Sequence, residues 1–266
     1  MQEMTVTILG SGTSMGVPMA GCDCQVCRSE DPKDQRLRPS VLVRIGEAQI
    51  LIDTSLDYRQ QMLRAGVRRL DAVLYTHHHV DHILGMDDLR SFTLLNKTSI
   101  PIYGMAETMQ NIRRVFAYVF SENDYPNSLP RLEIRLIDET PFRAAGIPVL
   151  PVPLLHGRMP VLGYRIGNFA YCTDVSFIPE SSFRRLEGLE VLILDALRHR
   201  PHPTHFSLAE ATEAAQRIGA KQTYFTHISH QILHAETEAE LPENIHLAYD
   251  GLELRMGWED EDNGQW

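Results

Sequence analysis

The sequence predicts an α/β chain in which two mixed β-sheets pack together with helices on the outside. Short apolar runs of strand length recur along it, several are joined by tight turns, and helical segments interleave with them. Histidines and aspartates fall just beyond several of those runs, which is how a sheet builds a polar site along one rim.

The elements follow in order. A first strand at Thr5–Leu9 leads into the Gly-rich stretch Gly10-Ser11-Gly12-Thr13-Ser14-Met15-Gly16-Val17-Pro18. Val41–Ile45 and Gln49–Asp53 read as strands turning at Gly46, and a short helix over Tyr58–Ala65 closes at Gly66. Ala72–Tyr75 is a brief strand running into Thr76 and a histidine cluster, followed by a strand at Ile100–Tyr103. The spacing predicts a helix over Glu107–Val119 and strands at Leu132–Ile137 and Val149–Leu155. Leu162–Ile166 and Phe169–Thr173 form a hairpin about Gly167-Asn168, and Val191–Leu194 is an apolar run ending in Asp195. Ser207 with Glu210 three residues on is a capping-box signature for a helix over Leu208–Ile218. Thr223–Thr226 leads into His227, and a final hairpin is expected at Asp250-Gly251. No linker or repeat interrupts this order, so residues 1–258 are expected as one domain and the acidic stretch 259–266 as a disordered tail.

Composition narrows the class. The chain has 266 residues and a formal charge of −10, from 25 Lys plus Arg against 35 Asp plus Glu. Glu259, Asp260, Glu261 and Asp262 carry four of those negatives, and Lys33, Lys97 and Lys221 are the only lysines. That balance argues against a nucleic-acid partner. No apolar run approaches the ~20 residues of a membrane span, and Met1-Gln2-Glu3-Met4 has no signal-peptide pattern. A soluble, cytoplasmic protein without a membrane partner is expected.

Histidine and cysteine are clustered, and the clusters carry the chemistry. Thr76-His77-His78-His79-Val80-Asp81-His82 contains H-x-H-x-D-H at the end of a strand, and His156, Asp174 and His227 stand at the ends of three others. Imidazole nitrogens with carboxylates suit zinc, and also iron or manganese. Cys22-Asp23-Cys24-Gln25-Val26-Cys27 supplies three thiols in six residues, a crowding that suits a metal rather than a disulfide framework. The preceding glycines lack the spacing and acidic partner of a dinucleotide loop. Cys172 lies alone in an apolar run and reads as core.

H-x-H-x-D-H followed by a spaced His, Asp and His resembles the metallo-β-lactamase superfamily, from Thr5 to about Met256. The resemblance implies a four-layer αββα sandwich with a two-metal site at one edge of the sheets. It implies that His77, His79 and His156 bind one divalent ion, that Asp81, His82 and His227 bind a second, and that Asp174 bridges them. Asp53, at the end of Leu51-Ile52-Asp53-Thr54, matches the family's aspartate that orients the ligand loop, or is a turn-capping aspartate. A bridging Asp174 resembles the phosphodiesterase, nuclease and thioester-hydrolase branches, so antibiotic hydrolysis is not expected. The C-x-C-x-x-C spacing, Thr226-His227-Ile228-Ser229-His230 and Tyr249-Asp250-Gly251-Leu252-Glu253 are similar to the branch of phosphoribosyl cyclic phosphodiesterases of bacterial phosphonate breakdown. That branch implies a structural zinc on Cys22, Cys24, Cys27 and His230, and a homodimer.

The implied reaction is hydrolysis of a small anionic phosphoester, a (phospho)ribosyl or nucleoside cyclic phosphate, by a hydroxide held between two Zn²⁺ or Mn²⁺ ions. With Asp81, Asp174 and the hydroxide, the pocket keeps a local charge of about +1 although the chain is acidic. The leaving alkoxide needs a proton. In Arg198-His199-Arg200-Pro201-His202-Pro203-Thr204-His205, His205 aligns with the branch's phosphate-contacting histidine and general acid, while His199 and His202 are weaker candidates. Arg158 is a candidate for a second phosphate contact, His78 is not expected to be a ligand, and Phe116, Tyr118 and Tyr125 are expected in core or lid packing. Asp88–Ser99 and Ser121–Pro130 are expected as pocket loops and carry no phosphoribose signature. The alternatives are a nuclease or RNA-processing enzyme, which would want a basic arm, a thioester hydrolase, and a non-catalytic zinc-stabilised binding protein, which would have lost ligands.

Overall fold

The protein is described by a computed structural model covering residues 2–121 and 128–260. Tyr125 lies outside the described residues, as does most of the expected acidic tail; of the latter, Asp260 pairs with Arg143 at 3.3 Å.

Fourteen strands form two sheets among the described residues. In chain order they are β1 (Gln2–Gly10), β2 (Ser40–Ile45), β3 (Ala48–Ile52), β4 (Ala72–Leu74), β5 (Ile100–Gly104), β6 (Leu132–Leu136), β7 (Phe142–Ala144), β8 (Ile147–His156), β9 (Met159–Ile166), β10 (Phe169–Cys172), β11 (Val191–Asp195), β12 (Gln222–Thr226), β13 (Ile245–Leu247) and β14 (Glu253–Trp258). The spatial orders are β14-β1-β2-β3-β4-β5-β6 and β13-β12-β11-β10-β9-β8-β7. Both sheets are mixed, with β3, β4, β5 and β6 parallel in the first and β10 to β13 parallel in the second.

Strand periodicity explains the layering. Val41, Val43 and Ile45 face one side of β2 and join a cluster that also contains Tyr164, Phe169 and Ile193 of the second sheet. Leu42 faces the other side, with Leu9, Leu51 and Val73, and packs on the helices over Tyr58–Arg64 (α1), Val80–Ile83 (α2), Arg90–Asn96 (α3) and Ala106–Val115 (α4). The outer face of the second sheet is covered by helices that include Glu180–Arg185 and Leu208–Ile218. Strands buried on both faces must be apolar on both, which is why they read as continuous apolar runs rather than alternating ones. Each fully buried Val, Leu or Ile contributes about 1.5–3 kcal/mol relative to exposure. The result is the four-layer αββα sandwich.

Three expectations are corrected. The helix expected over Glu107–Val119 ends at Val115: Phe116 turns out of helical geometry (φ −108°, ψ 40°) and buries its ring, and a separate turn of helix covers Ala117–Phe120. Exposed Tyr118 hydrogen-bonds Asp87 there, so tertiary contacts override the helical run. The hairpin expected at Asp250-Gly251 is a crossing between sheets: β13 pairs parallel with β12, and β14 pairs antiparallel with β1. A turn dipeptide reverses the chain without choosing the edge that receives it. Asp88–Ser99 is mostly helix rather than loop, because α3 buries Phe92 and Thr93.

Candidate metal centre

β8, β10, β11 and β12 run in one direction, so the residues at their C-terminal ends meet on one rim. His156 ends β8, Asp174 follows β10, Asp195 ends β11 and His227 follows β12. The opposite sheet brings Asp53 after β3 and Thr76-His77 beyond β4 to the same rim. Asp53 (φ 62°), Asp174 (φ 57°) and His227 (φ 60°) all adopt the left-handed backbone. That conformation costs a non-glycine residue about 1–3 kcal/mol and persists only where the surroundings fix it.

The side chains then converge. Asp174 Oδ2 stands 3.2 Å from His82 Nε2, and its Oδ1 stands 3.4 Å from His227 Nε2 and 3.8 Å from His77 Nε2. Asp81 Oδ2 lies 3.5 Å from His82 Nε2 and 3.6 Å from His227 Nε2. His77, His79, His156 and Asp174 form one ligand-sized group, and Asp81, His82 and His227 another. Atoms about 2.1 Å from one tetrahedral ion stand roughly 3.4 Å apart, so this spacing fits metal ligation. Among the described residues, the buried Nε2 atoms of His77, His82 and His227 have no hydrogen-bond partner, which leaves them free to ligate ions.

The other side of three of the rings, those of His82, His77 and His156, is anchored. His82 Nδ1 is 2.7 Å from Asp53 Oδ2, whose carboxylate also accepts from Thr76 N at 2.9 Å and Thr76 Oγ1 at 2.8 Å. His77 Nδ1 meets Thr76 Oγ1 at 3.0 Å, and His156 Nδ1 donates to the Thr204 carbonyl at 2.6 Å. These bonds turn the Nε2 atoms inward. Asp53 is therefore joined to the ligand loop and is more than a turn cap.

The electrostatics belong to a site that wants cations. Burial opposes ionisation of Asp174, yet His227, His82 and His77 hold its carboxyl well below the ordinary carboxylate range. Burial likewise opposes protonation of His227, but Asp174, Asp81 and Asp195 lift it to about 9, and His82 is lifted by Asp174, Asp81 and Asp53.

His205 is buried on the same rim. Its Nδ1 is 3.1 Å from Asp195 Oδ2, its ring stacks on His227 at 4.6 Å, and its Nε2 lies 4.0 Å from Asp174 Oδ1. Asp195 Oδ2 also accepts from Val175 N and Phe206 N. Sequence reading missed Asp195 as a site residue; its one signal was a carboxylate closing a fully apolar run. His202 lies beside His205, with ring centroids 5.3 Å apart. His199 instead lines a cavity with Leu208, Thr212 and Thr237. Half-buried His78 neighbours His79 outside both ligand groups, and Cys172 is core.

A second cluster lies apart from this rim. Cys22, Cys24, Cys27 and His230 form one ligand-sized group, with His230 Nδ1 3.3 Å from Cys22 Sγ and 3.4 Å from Cys24 Sγ. A tetrahedral zinc with sulfur at 2.3 Å and nitrogen at 2.0 Å would set them about 3.5 Å apart, so the donor set fits a closed zinc site. The Cys27 amide donates to Cys24 Sγ and draws that thiol down to about 6, whereas burial pushes Cys27 up to about 11.

The glycine loop owes its composition to close packing. A Cβ on Gly10 would lie 2.0 Å from the Arg38 carbonyl oxygen, and one on Gly12 would lie 2.8 Å from that of Arg36. Gly12 also bridges to Ile228, next to His227.

Comparison with known proteins agrees with this fold. A family model described as the beta-lactamase superfamily domain matches residues 48–228. The chain superposes with a TM-score of 0.91 on the crystal structure of a new diphosphatase from the PhnP family, at 46% identity over 96% of this chain and 98% of that one. An octanoyltransferase of Porphyromonas gingivalis is 43% identical over 255 residues, which are 94% of this chain and 51% of that protein. Ribonuclease Z of a Bradyrhizobium strain is 32% identical over 114 residues, 41% of this chain and 36% of that protein. The chain thus spans about half the length, or less, of these curated relatives. It belongs to the beta-lactamase superfamily and has that family's metallo-hydrolase fold.

Proposed function

We propose that the chain is a metal-dependent phosphodiesterase that hydrolyses a small anionic phosphoester, with a (phospho)ribosyl or nucleoside cyclic phosphate as the preferred substrate. The observation that carries the reading is the convergence of six candidate ligand side chains about Asp174, with His205 facing them. His77, His79 and His156 would hold one divalent ion, Asp81, His82 and His227 the other, and Asp174 both; Zn²⁺ or Mn²⁺ suits this donor set. Bound ions there would generate a nucleophile from water and brace the phosphoryl oxygens. The protein's own groups do the rest. Asp195 holds Nδ1 of His205, leaving Nε2 turned toward the site, where its proton can pass to the leaving alkoxide. Asp53 keeps His82 in the tautomer with a free Nε2 lone pair. Cys22, Cys24, Cys27 and His230 would hold a structural zinc and anchor the segment that carries His227.

The similarity to a diphosphatase of the PhnP family favours a second substrate reading, a diphosphate ester cleaved at the same site. The partial similarity to ribonuclease Z favours a nuclease less, because the chain carries a −10 charge. The deciding measurement is kcat/KM, after metal reconstitution, for a 5-phosphoribosyl 1,2-cyclic phosphate, a nucleoside diphosphate ester and a linear dinucleotide. A preference of about 10²-fold for the cyclic sugar phosphate, or about 2.7 kcal/mol of transition-state discrimination, supports the first reading. Preference for the diphosphate or the dinucleotide replaces it with the corresponding alternative. The same reading carries the expectation of a cytoplasmic homodimer, for which sedimentation velocity tests the assembly.

A further inference from the structure

His227 holds a left-handed backbone at the edge of the metal centre, and something must fix it there. The residue after it, Ile228, is fully buried and clamped on both sides of its peptide. Its N–H donates to the Ser11 carbonyl at 2.9 Å, and its carbonyl accepts from Thr13 N at 3.1 Å. The glycine loop is therefore the backing plate of His227. Gly12 in turn donates to the Leu37 carbonyl at 2.8 Å.

One carboxylate locks this plate in place, 239 positions away in sequence. Asp250 Oδ1 accepts from both the backbone N and the Oγ of Ser11, each at 2.9 Å. Its Oδ2 accepts from Leu37 N at 2.9 Å and from Arg64 Nη1 at 3.3 Å. Four donors from three separate segments thus end on one side chain that is 4% exposed. Asp250 sits on the crossing from β13 to β14, away from both ligand groups.

We infer that Asp250 is a positioning residue for His227: its carboxylate sets Ser11–Thr13, which sets the peptide of Ile228, which aims the ring of His227 into the second ion site. The inference rests on the reading of His227 as a metal ligand. It distinguishes Asp250 from a residue that merely adds stability, because the effect must fall on one ion site and one peptide.

The test uses the full chain with Asp250→Asn. The amide keeps the shape but replaces one acceptor oxygen with an NH₂ group, which must then face N–H donors of Ser11, Leu37 or Arg64. Two readouts are taken on the wild type and the variant. Mn²⁺ binding is followed by calorimetry with zinc content measured in parallel, and hydrogen exchange of the Ile228 amide is followed in protein stripped of active-site metal, against Ile193 in β11. The expected result is a loss of about tenfold or more in affinity for one of the two Mn²⁺ ions, with the other changed by less than about threefold. Exchange at Ile228 is expected to accelerate by about tenfold or more while Ile193 is unchanged. Equal weakening of both Mn²⁺ sites with uniform acceleration of exchange would overturn the proposal, as would no change in either readout. Ser11→Ala, which loses only the hydroxyl bond to Asp250, is expected to shift the same site and the same amide by a smaller factor; no shift at Ile228 in a folded Ser11→Ala would also count against it. If the wild type fails to take up two Mn²⁺ ions, the two-ion reading falls, and the exchange comparison still decides whether Asp250 sets the Ile228 peptide.

Discussion

Replacing His205 with alanine tests the proton-delivery role most sharply, because the structure separates its chemical cost from its structural one. The ring stacks on His227 and T-packs against His156 with centroids 4.6 and 4.5 Å away, and its Nδ1 meets Asp195. Removing it takes one hydrogen bond from the Asp195 carboxylate, which keeps the amides of Val175 and Phe206 as donors. The stability cost should be about 1–3 kcal/mol, and the fold should survive. His205 is not among the seven side chains proposed as ligands, so on that reading metal content should be unchanged. The rate should fall according to how much the leaving group needs a proton. For an alkoxide leaving group kcat/KM should drop by about 10²–10⁴-fold. For bis(p-nitrophenyl) phosphate, whose phenolate leaves unaided, the drop should stay under about tenfold. The assay is steady-state kinetics on both substrates at matched metal content. Equal losses on the two would refute proton donation and leave His205 as a positioning or binding group.

Four further outcomes follow from the same geometry. Metal analysis of protein purified without chelators should give about three ions per chain, whereas about one would point to a zinc-stabilised binding protein. Because His227 is lifted to about 9 in the metal-free chain, an ion entering at pH 7 must expel a proton. Affinity should therefore rise with pH up to about 9, with proton release visible as a dependence of calorimetric heat on buffer ionisation; a flat profile from pH 6 to 9 would contradict this. The sign for stability is opposite: a histidine raised on folding stabilises the metal-free chain at low pH, and that contribution fades as pH climbs from 6.5 through about 9, measurable as a falling Tm. Asp53→Asn keeps a residue tolerant of the left-handed backbone but sets an amide group against the Thr76 and His82 donors, and should cost about 2–4 kcal/mol and weaken metal binding by about tenfold, read by denaturant titration and calorimetry.

By itself the sequence determined the layers and singled out most of the residues that the structure gathers on one rim. Strand-length apolar runs and a capping box at Ser207 are local patterns whose physics is complete within a few residues, and the helix over Leu208–Ile218 stands where those patterns place it. His77, His79, Asp81 and His82 were legible for the same reason, since a short motif at the end of a strand carries its own geometry. His156, Asp174 and His227 were legible as strand ends, and their assignment to particular ions came from resemblance. Tertiary structure alone decided what depends on distant segments meeting. Phe116 leaves its helix to bury a ring, and Asp250-Gly251 crosses between sheets instead of closing a hairpin. Asp195 becomes the partner of His205 because β11 ends beside β10 and β12. Asp250 gathers Ser11, Leu37 and Arg64 on one carboxylate. Periodicity records which face of an element is buried; it holds no record of which other segment's donor will meet a given carboxylate, because that pairing exists only once the sheets have packed.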